Sequence, residues 1–328
     1  MKTLELLQDG LYYAAKNKKY RKFYTLHDKI CRIDILEDAW KCVSANGGSP
    51  GIDRKSIKDI ESYGASHFLG EIQHELMNMT YRAPNVKRVY IPKQDGKKRP
   101  LGIPTVKERV VHQAVKSIIE PFFEADFKDF SYAYRKGKSA KKASHEFFKY
   151  LNYGYANVVE IDIKSFFDQI DHDKMIFLVR KRIADPYVIK LIREWLRAGI
   201  AYNGETTYPT EGTPQGGVVS PLLSNIYLNE MDTLWSKKVD AHEAVMIRYA
   251  DDIVILSKSN PKKYIDLVEK ILDLLGLKLN ADKSRVTHIT NGLTFSEFTT
   301  RGDSAISGNM RQQGCTLPVN PWKSFARK

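Results

Sequence analysis

Tyr249-Ala250-Asp251-Asp252 is the segment of this chain best suited to chemistry. Strand-like residues run into it (Val245-Met246-Ile247) and out of it (Ile253-Val254-Ile255-Leu256). An apolar strand, an acidic turn and a second apolar strand read as a β-hairpin with two carboxylates at its tip. Carboxylate oxygens are hard ligands suited to Mg²⁺, and phosphoryl transfer is the chemistry such a pair would serve. Asp-Asp at a hairpin tip also fits plain turn chemistry. A second acidic position, Asp162, closes the strand-like run Val158-Val159-Glu160-Ile161 and leads into Ile163-Lys164-Ser165-Phe166-Phe167-Asp168. A two-metal site needs carboxylates from separate strands, able to bridge ions about 3.5–4 Å apart. Asp162 with Asp251 and Asp252 would supply them, although Asp162 alone also fits a helix N-cap.

Two further segments could serve the same chemistry. In Gly212-Thr213-Pro214-Gln215-Gly216-Gly217-Val218-Val219-Ser220-Pro221, the glycines after Gln215 allow backbone to approach a ligand closely. Ser220 then opens a helix with Pro221 in its first turn. A loop with a helix cap accounts for the prolines but not for the whole decapeptide. Lys93 and Arg99 flank the Asp95-Gly96 turn. Cations on facing strands there could grip a triphosphate, Arg as a fork and Lys as a point charge. A solvated, charge-rich turn is the other reading of that pair.

The elements that must position these residues are legible in outline. Residues 1–45 read as helical and basic, with the cluster Lys16 to Lys22, and a Gly/Ser/Pro turn follows at 46–51. Residues 54–80 carry a weak amphipathic pattern. Lys87 to Ile91 and a run into Pro104 read as a hairpin about Asp95-Gly96. Residues 106–124 and 139–150 read as helices, and 157–163 as a strand. Residues 173–196 are mainly helical with a break at Asp185-Pro186. A helix over 219–237 precedes the acidic hairpin. Residues 262–275 carry Ile265, Val268, Ile271, Leu272 and Leu275 at helical spacing, and Gly276 is placed to stop that helix. This order predicts an α+β fold with a mainly antiparallel sheet, not a doubly wound parallel one. From Gly292 onward no period is sustained, which predicts an irregular tail.

Bulk properties limit the partners. The chain has 328 residues, 42% hydrophobic and 28% charged, as a folded soluble protein would. A net charge of +13 points to a polyanion, with nucleic acid foremost. Cys31, Cys42 and Cys315 form no CxxC pair or His/Cys cluster, which argues against structural zinc or a disulfide scaffold and for a reducing cytoplasm. No secretory signal is visible. The long uncharged stretch Gly212 to Asn229 is too rich in Pro, Gln, Ser and Asn to span a membrane.

Taken in order, the motifs resemble those of reverse transcriptases encoded by bacterial and archaeal group II introns and their group II-like relatives. The matching segments are Gly51-Ile52-Asp53, Ile91 to Pro104, Ser131 to Arg135, Ile161 to Asp168, Gly212 to Pro221, Tyr249 to Asp252, and Gly276 to Ser284. The resemblance implies a right-hand polymerase, with a helical extension and the start of the fingers over 1–85, fingers over 86–155 and a catalytic palm over 156–290. It implies that Asp162, Asp251 and Asp252, with the backbone carbonyl of Ile163, hold two Mg²⁺ ions, with Mn²⁺ as a substitute. Lys93 and Arg99 match residues that contact the incoming triphosphate. Gln215 and Gly216 match the motif lining nucleotide and template, and Phe167 matches the steric gate that excludes a ribose 2′-OH. Lys283 matches a basic residue near the phosphates. Tyr132, Tyr134 and Arg135 interleave aromatics with cations, which suits template contact as well as ordinary loop packing. The implied partners are an RNA template, a DNA or RNA primer, dNTPs and intron RNA, with no membrane.

The chain departs from the family pattern late. Where the primer grip usually reads Phe-Leu-Gly-Phe, it reads Phe295-Ser296-Glu297-Phe298, with an acid where a phosphate backbone should approach. No helical thumb, maturase or endonuclease region is recognisable in 291–328. The expectation is a chain truncated after the palm, with a missing or degenerate thumb and low processivity. A protein partner would then supply a thumb-like function.

Overall fold

Side-chain caps from Thr105, Ser139, Asp171 and Asp185 start four of the helices. The computed structural model describes residues 2–92, 96, 98–213 and 216–289. Lys93, Gln215, the Phe295–Phe298 segment, Cys315 and the 291–328 tail lie outside the described residues. The chain forms two units, each drawn from separate stretches of sequence, residues 1–127 with 165–227 and residues 128–164 with 228–328.

The first unit opens with helices α1 (Lys2–Lys16), α2 (His27–Ile30), α3 (Ile33–Asn46), α4 (Ile57–Tyr63) and α5 (Ala65–Met77). A hairpin of β1 (Val86–Pro92) and β2 (Lys98–Ile103) follows, then α6 (Val106–Glu124). The Thr105 side chain accepts from the Glu108 amide and starts α6, which packs against α1, α2 and α3. The expected 106–124 helix is therefore found at its expected bounds.

The rest of this unit comes from the later stretch. Asp185 caps the helix that begins at Pro186 and also accepts from the Leu26 and His27 amides at 2.8 and 3.0 Å. The break expected at Asp185-Pro186 is thus a helix start bound back to the N-terminal region.

The second unit contains α7 (Ala140–Asn152), β3 (Asn157–Asp162), β6 (Ala244–Tyr249), β7 (Asp252–Ser257), α11 (Lys262–Leu275) and β8 (Arg285–His288). Between β3 and β6 the chain forms α8 (His172–Val179), α9 (Pro186–Leu196), β4 (Ile200–Tyr202), β5 (Glu205–Thr207) and α10 (Ser220–Lys238). The sheet of the second unit runs β6-β7-β3-β8 with every pair antiparallel. The other sheet runs β2-β1-β4-β5, with one parallel pair, β1 with β4. The fold is α+β, as the element order implies. In α11, Tyr264 takes a buried place beside Val268, Ile271, Leu272 and Leu275, and Ile265 is only half-buried. Gly276 ends the helix at φ 74°, a left-handed position that glycine adopts without steric cost.

One face of the second sheet makes a graded surface. Val158, Leu256 and Val245 lie on one rung and pack with Ala143 and Phe147 of α7. Glu160, Val254 and Ile247 form the next rung, and Asp162, Asp252 and Tyr249 the last. The same strand parity that buries the valines thus carries the acids to the far end of that face.

Within α6, Glu108 is almost wholly buried, and among the described residues its Oε2 has no hydrogen-bond partner. Burial pushes its carboxyl up to about 8 against the opposing pull of Arg109. Burial drives His112, one turn on, down to about 3. The Glu108 contribution is full below its unfolded value of about 4.5 and is lost as pH rises through 8. The His112 contribution runs oppositely, being full above about 6.5 and lost toward pH 3. Glu108→Gln should therefore flatten the fall in melting temperature between pH 5.5 and 8. An unchanged slope in thermal melts across that range would contradict this.

Candidate active site

Strands β6 and β7 are buried along almost their whole length, which fixes the hairpin between them. Tyr249 pairs with Asp252 across a two-residue turn, Ala250-Asp251. Ala250 has φ 59° and Asp251 does not have positive φ, the sign pattern of a type II′ turn. Glycine usually takes the first position of such a turn, so Ala250 holds a disfavoured backbone conformation next to the acids. The β3–β7 register sets Asp162 directly opposite Asp252. Such partners lie about 4.5–5.5 Å apart at Cα and project to one face. Asp251 follows Ala250 in the turn, so all three acids lie at one end of this sheet.

Asp162 is held by the turn Asn280–Ser284, part of the Gly276–Ser284 segment of the resemblance, in which only Lys283 carries an expected role. Asn280 N donates to the Asp162 carbonyl at 2.9 Å, and Asn280 Nδ2 donates to Asp162 Oδ2 at 2.8 Å. Asp162 N donates to Ser284 Oγ at 3.3 Å. The turn closes on itself through Ser284 N to Asn280 O at 2.9 Å. Lys283 is mostly exposed, and its Nζ lies 3.8 Å from Asp162 Oδ1. Ile163 bridges only to Leu279 beyond the end of β3. Among the described residues, no group of three or more His, Cys, Asp or Glu side chains is gathered closely enough to hold an ion. The donor chemistry nonetheless fits Mg²⁺. Asp162 and Asp252 supply hard carboxylate oxygens as direct cross-strand partners, and Asp251 adjoins them.

In the first unit, a second set of expected residues is tied into one piece. After Ser165 at φ 44°, the single turn Phe166–Asp168 presents Phe167 half-buried, edge-on to Phe166 at 5.3 Å. The glycine-rich loop is bound to that turn by Thr213 N to Phe167 O at 2.8 Å and Gly212 N to Ile170 O at 2.7 Å. His172 Nε2 meets Gly212 O at 2.7 Å. Gly216 has φ 109°, and a Cβ there would lie 2.7 Å from the Gly102 carbonyl of β2. Arg99, on the same strand, is half-buried opposite Ile91. Gly212 and Thr213 are thereby joined to the Phe167 turn, and Gly216 lies against the strand bearing Arg99.

The template contact expected of Tyr132 and Arg135 requires correction. Tyr132 is only 7% exposed and packs in the core with Phe147 and Leu256, which leaves no ring face for a base. Arg135 turns its Nη1 onto the carbonyls of Lys128 and Ser131, both at 2.6 Å. Tyr134, at φ 59°, is 51% exposed. Aromatic and cationic residues interleave here, but two of the three side chains serve the loop itself.

A family model described as reverse transcriptase (RNA-dependent DNA polymerase) matches residues 91–316. Protein YkfC of Escherichia coli (strain K12) is 30% identical, covering 89% of this chain and 86% of that protein. The group II intron-encoded protein LtrA of Lactococcus lactis subsp. cremoris is 38% identical over 64% of this chain. The aligned part is 35% of LtrA, so this chain spans about a third of that relative. Among solved structures, a chain of a partial Cas6-RT-Cas1–Cas2 complex matches with a TM-score of 0.46 at 23% identity. That match covers 76% of this chain and 43% of the other.

The close approach at Gly216 makes a direct test. A methyl there meets backbone, not a flexible side chain, and sits at a φ that L-residues rarely adopt. Gly216→Ala should cost about 1–3 kcal/mol of stability. A denaturant midpoint equal to that of the wild type would contradict the conflict.

Proposed function

With residues 91–316 matched, the chain belongs to the reverse transcriptase family, and we propose that it is an RNA-directed DNA polymerase of the group II intron type. It extends a primer 3′-OH with dNTPs on an RNA template. The observation that carries this reading is the cross-strand pairing of Asp162 with Asp252, next to Asp251 in the turn.

Asp162, Asp251 and Asp252, with the Ile163 carbonyl, are the residues to hold two Mg²⁺ or Mn²⁺ ions, which when bound lower the cost of forming the attacking alkoxide and the pyrophosphate leaving group. Asn280 orients the Asp162 carboxylate through its amide. The Lys283 ammonium beside that carboxylate adds positive charge where phosphates would accumulate. Arg99 and Lys93 bind the triphosphate, Arg by its fork and Lys as a compact charge. Gln215 and Gly216 line the nucleotide and template, and the Phe167 ring takes the volume a 2′-OH would need. The net charge of +13 supports binding to the phosphates of template and primer.

Intron RNA is included among the proposed RNA partners on the resemblance to group II intron-encoded proteins. No helix among the described residues is long and apolar enough to cross a membrane. We assign the chain to the cytoplasm on its cysteine usage, with Cys31 and Cys42 both free.

Primer extension on an RNA template with Mg²⁺ and dNTPs tests the reading. The wild type should incorporate dNTPs, and Asp251→Asn should lose activity by a factor of about 10³ or more. If both proteins incorporate nothing yet bind RNA tightly, the chain is a non-catalytic, maturase-like RNA-binding protein. Phe167→Ala should incorporate ribonucleotides at least about tenfold better relative to dNTPs. Unchanged sugar discrimination in single-nucleotide insertion would remove Phe167 as the gate.

A further inference from the structure

Behind the acidic turn, on the other face of the sheet, lies a charge pair that the reaction itself does not use. Arg248 of β6 and Asp232 of α10 both have side chains at 0% exposure. Arg248 Nε donates to Asp232 Oδ1 at 2.9 Å and Oδ2 at 3.2 Å, and Nη2 donates to Oδ2 at 2.6 Å. The remaining arm, Nη1, donates to the Ala250 carbonyl at 2.9 Å. That carbonyl belongs to the peptide that joins Ala250, in its left-handed conformation, to Asp251.

The pair is a poor device for stability alone. Taking both charges out of water is costly, and well-packed apolar residues of similar size often replace such pairs without loss. The arm on Ala250 is what apolar residues could not reproduce. Rotation of the Ala250–Asp251 peptide is the motion that would re-aim the Asp251 side chain, and the guanidinium binds the oxygen that would have to move. Asp232 in turn fixes the guanidinium plane through two-point contact, which a lysine cannot copy.

The strand does not depend on this arm for its place. Arg248 N donates to the Phe130 carbonyl at 2.8 Å, and its own carbonyl accepts from Tyr132 N at 2.9 Å. The neighbouring strand positions Val245, Met246 and Ile247 are buried. Altering the Arg248 side chain should therefore leave β6 seated.

We infer that Asp232 and Arg248 form a positioning pair, which locks the peptide before Asp251 so that its carboxylate is pre-aimed at a divalent ion. The inference rests on the reading of the acids as an ion site. Partners behind metal ligands typically change metal affinity by about 10–100-fold when removed.

The test compares the wild type with the double variant Asp232→Leu/Arg248→Met, which removes both charges together, and with Arg248→Lys, which keeps charge and loses the fork. Mn²⁺ binding is read from the electron paramagnetic resonance of free ion, beside circular dichroism and denaturant unfolding. The double variant should unfold cooperatively and bind Mn²⁺ about tenfold or more weakly. Arg248→Lys should weaken binding in the same direction and gives the answer if the double variant does not fold. In primer extension, the Mg²⁺ concentration for half-maximal rate should rise while the KM for dNTP stays within about twofold. A folded double variant or a folded Arg248→Lys that binds Mn²⁺ as the wild type does would overturn the positioning role alone. A wild type that binds no Mn²⁺ would overturn the ion-site reading and this inference with it.

Discussion

The ladder between β3 and β7 is the constraint on which the candidate active site depends. It pairs Val158 with Leu256, Glu160 with Val254 and Asp162 with Asp252. Side chains alternate across a strand, so a slip of one residue would send Asp162 to the opposite face. Burial prevents such a slip. Val158, Val159 and Ile161 on β3 and Ile253 through Leu256 on β7 are all buried, and any other register would expose some of them or bury Glu160 and Asp162. The acids are therefore held by hydrophobic matching several residues away as much as by anything they touch.

Placing carboxylates together raises an electrostatic cost that the surrounding residues address from different sides. The Asn280–Ser284 turn grips Asp162 at backbone nitrogen, carbonyl and carboxylate, and brings the Lys283 ammonium alongside. At the hairpin, the Arg248 guanidinium holds the turn from the buried face of the sheet. Both contacts hold groups beside the acids in place, as the proposed ion site would require if ions are to bind without reorganising it. In the first unit, hydrogen bonds and a close glycine approach join Gly212 and Thr213 to the Phe167 turn, and a second close approach sets Gly216 against β2. Backbone proximity explains those glycines better than flexibility does, because a side chain at either position would meet main-chain atoms.

Much of this was legible in the residues. The α6 and α11 helices follow from strong apolar periodicity with a cap at one end, and the acidic hairpin from two apolar runs about a short turn. The β4–β5 hairpin carries one sequence signal, Asn203-Gly204 with φ 50° and 86°, the turn chemistry of such a pair. Its strands are only three residues each, too short for alternation to register. β8 is not legible in the sequence, because Arg-Val-Thr-His carries little apolar pattern at a sheet edge. For Tyr132 and Arg135 the sequence leaves template contact and loop packing both open, because interleaved aromatics and cations look alike whether they face a polyanion or their own loop. Asn280, Ser284 and the Asp232–Arg248 pair act between elements far apart in sequence, and no local spacing reports such a contact.

The most direct measurement is crystallographic. Crystals grown with Mn²⁺, primer-template and a non-hydrolysable dNTP should show two anomalous peaks about 3.5–4 Å apart, bounded by the carboxylates of Asp162, Asp251 and Asp252. A map with no peak at these three aspartates, in crystals where primer-template and nucleotide are ordered, would contradict the account.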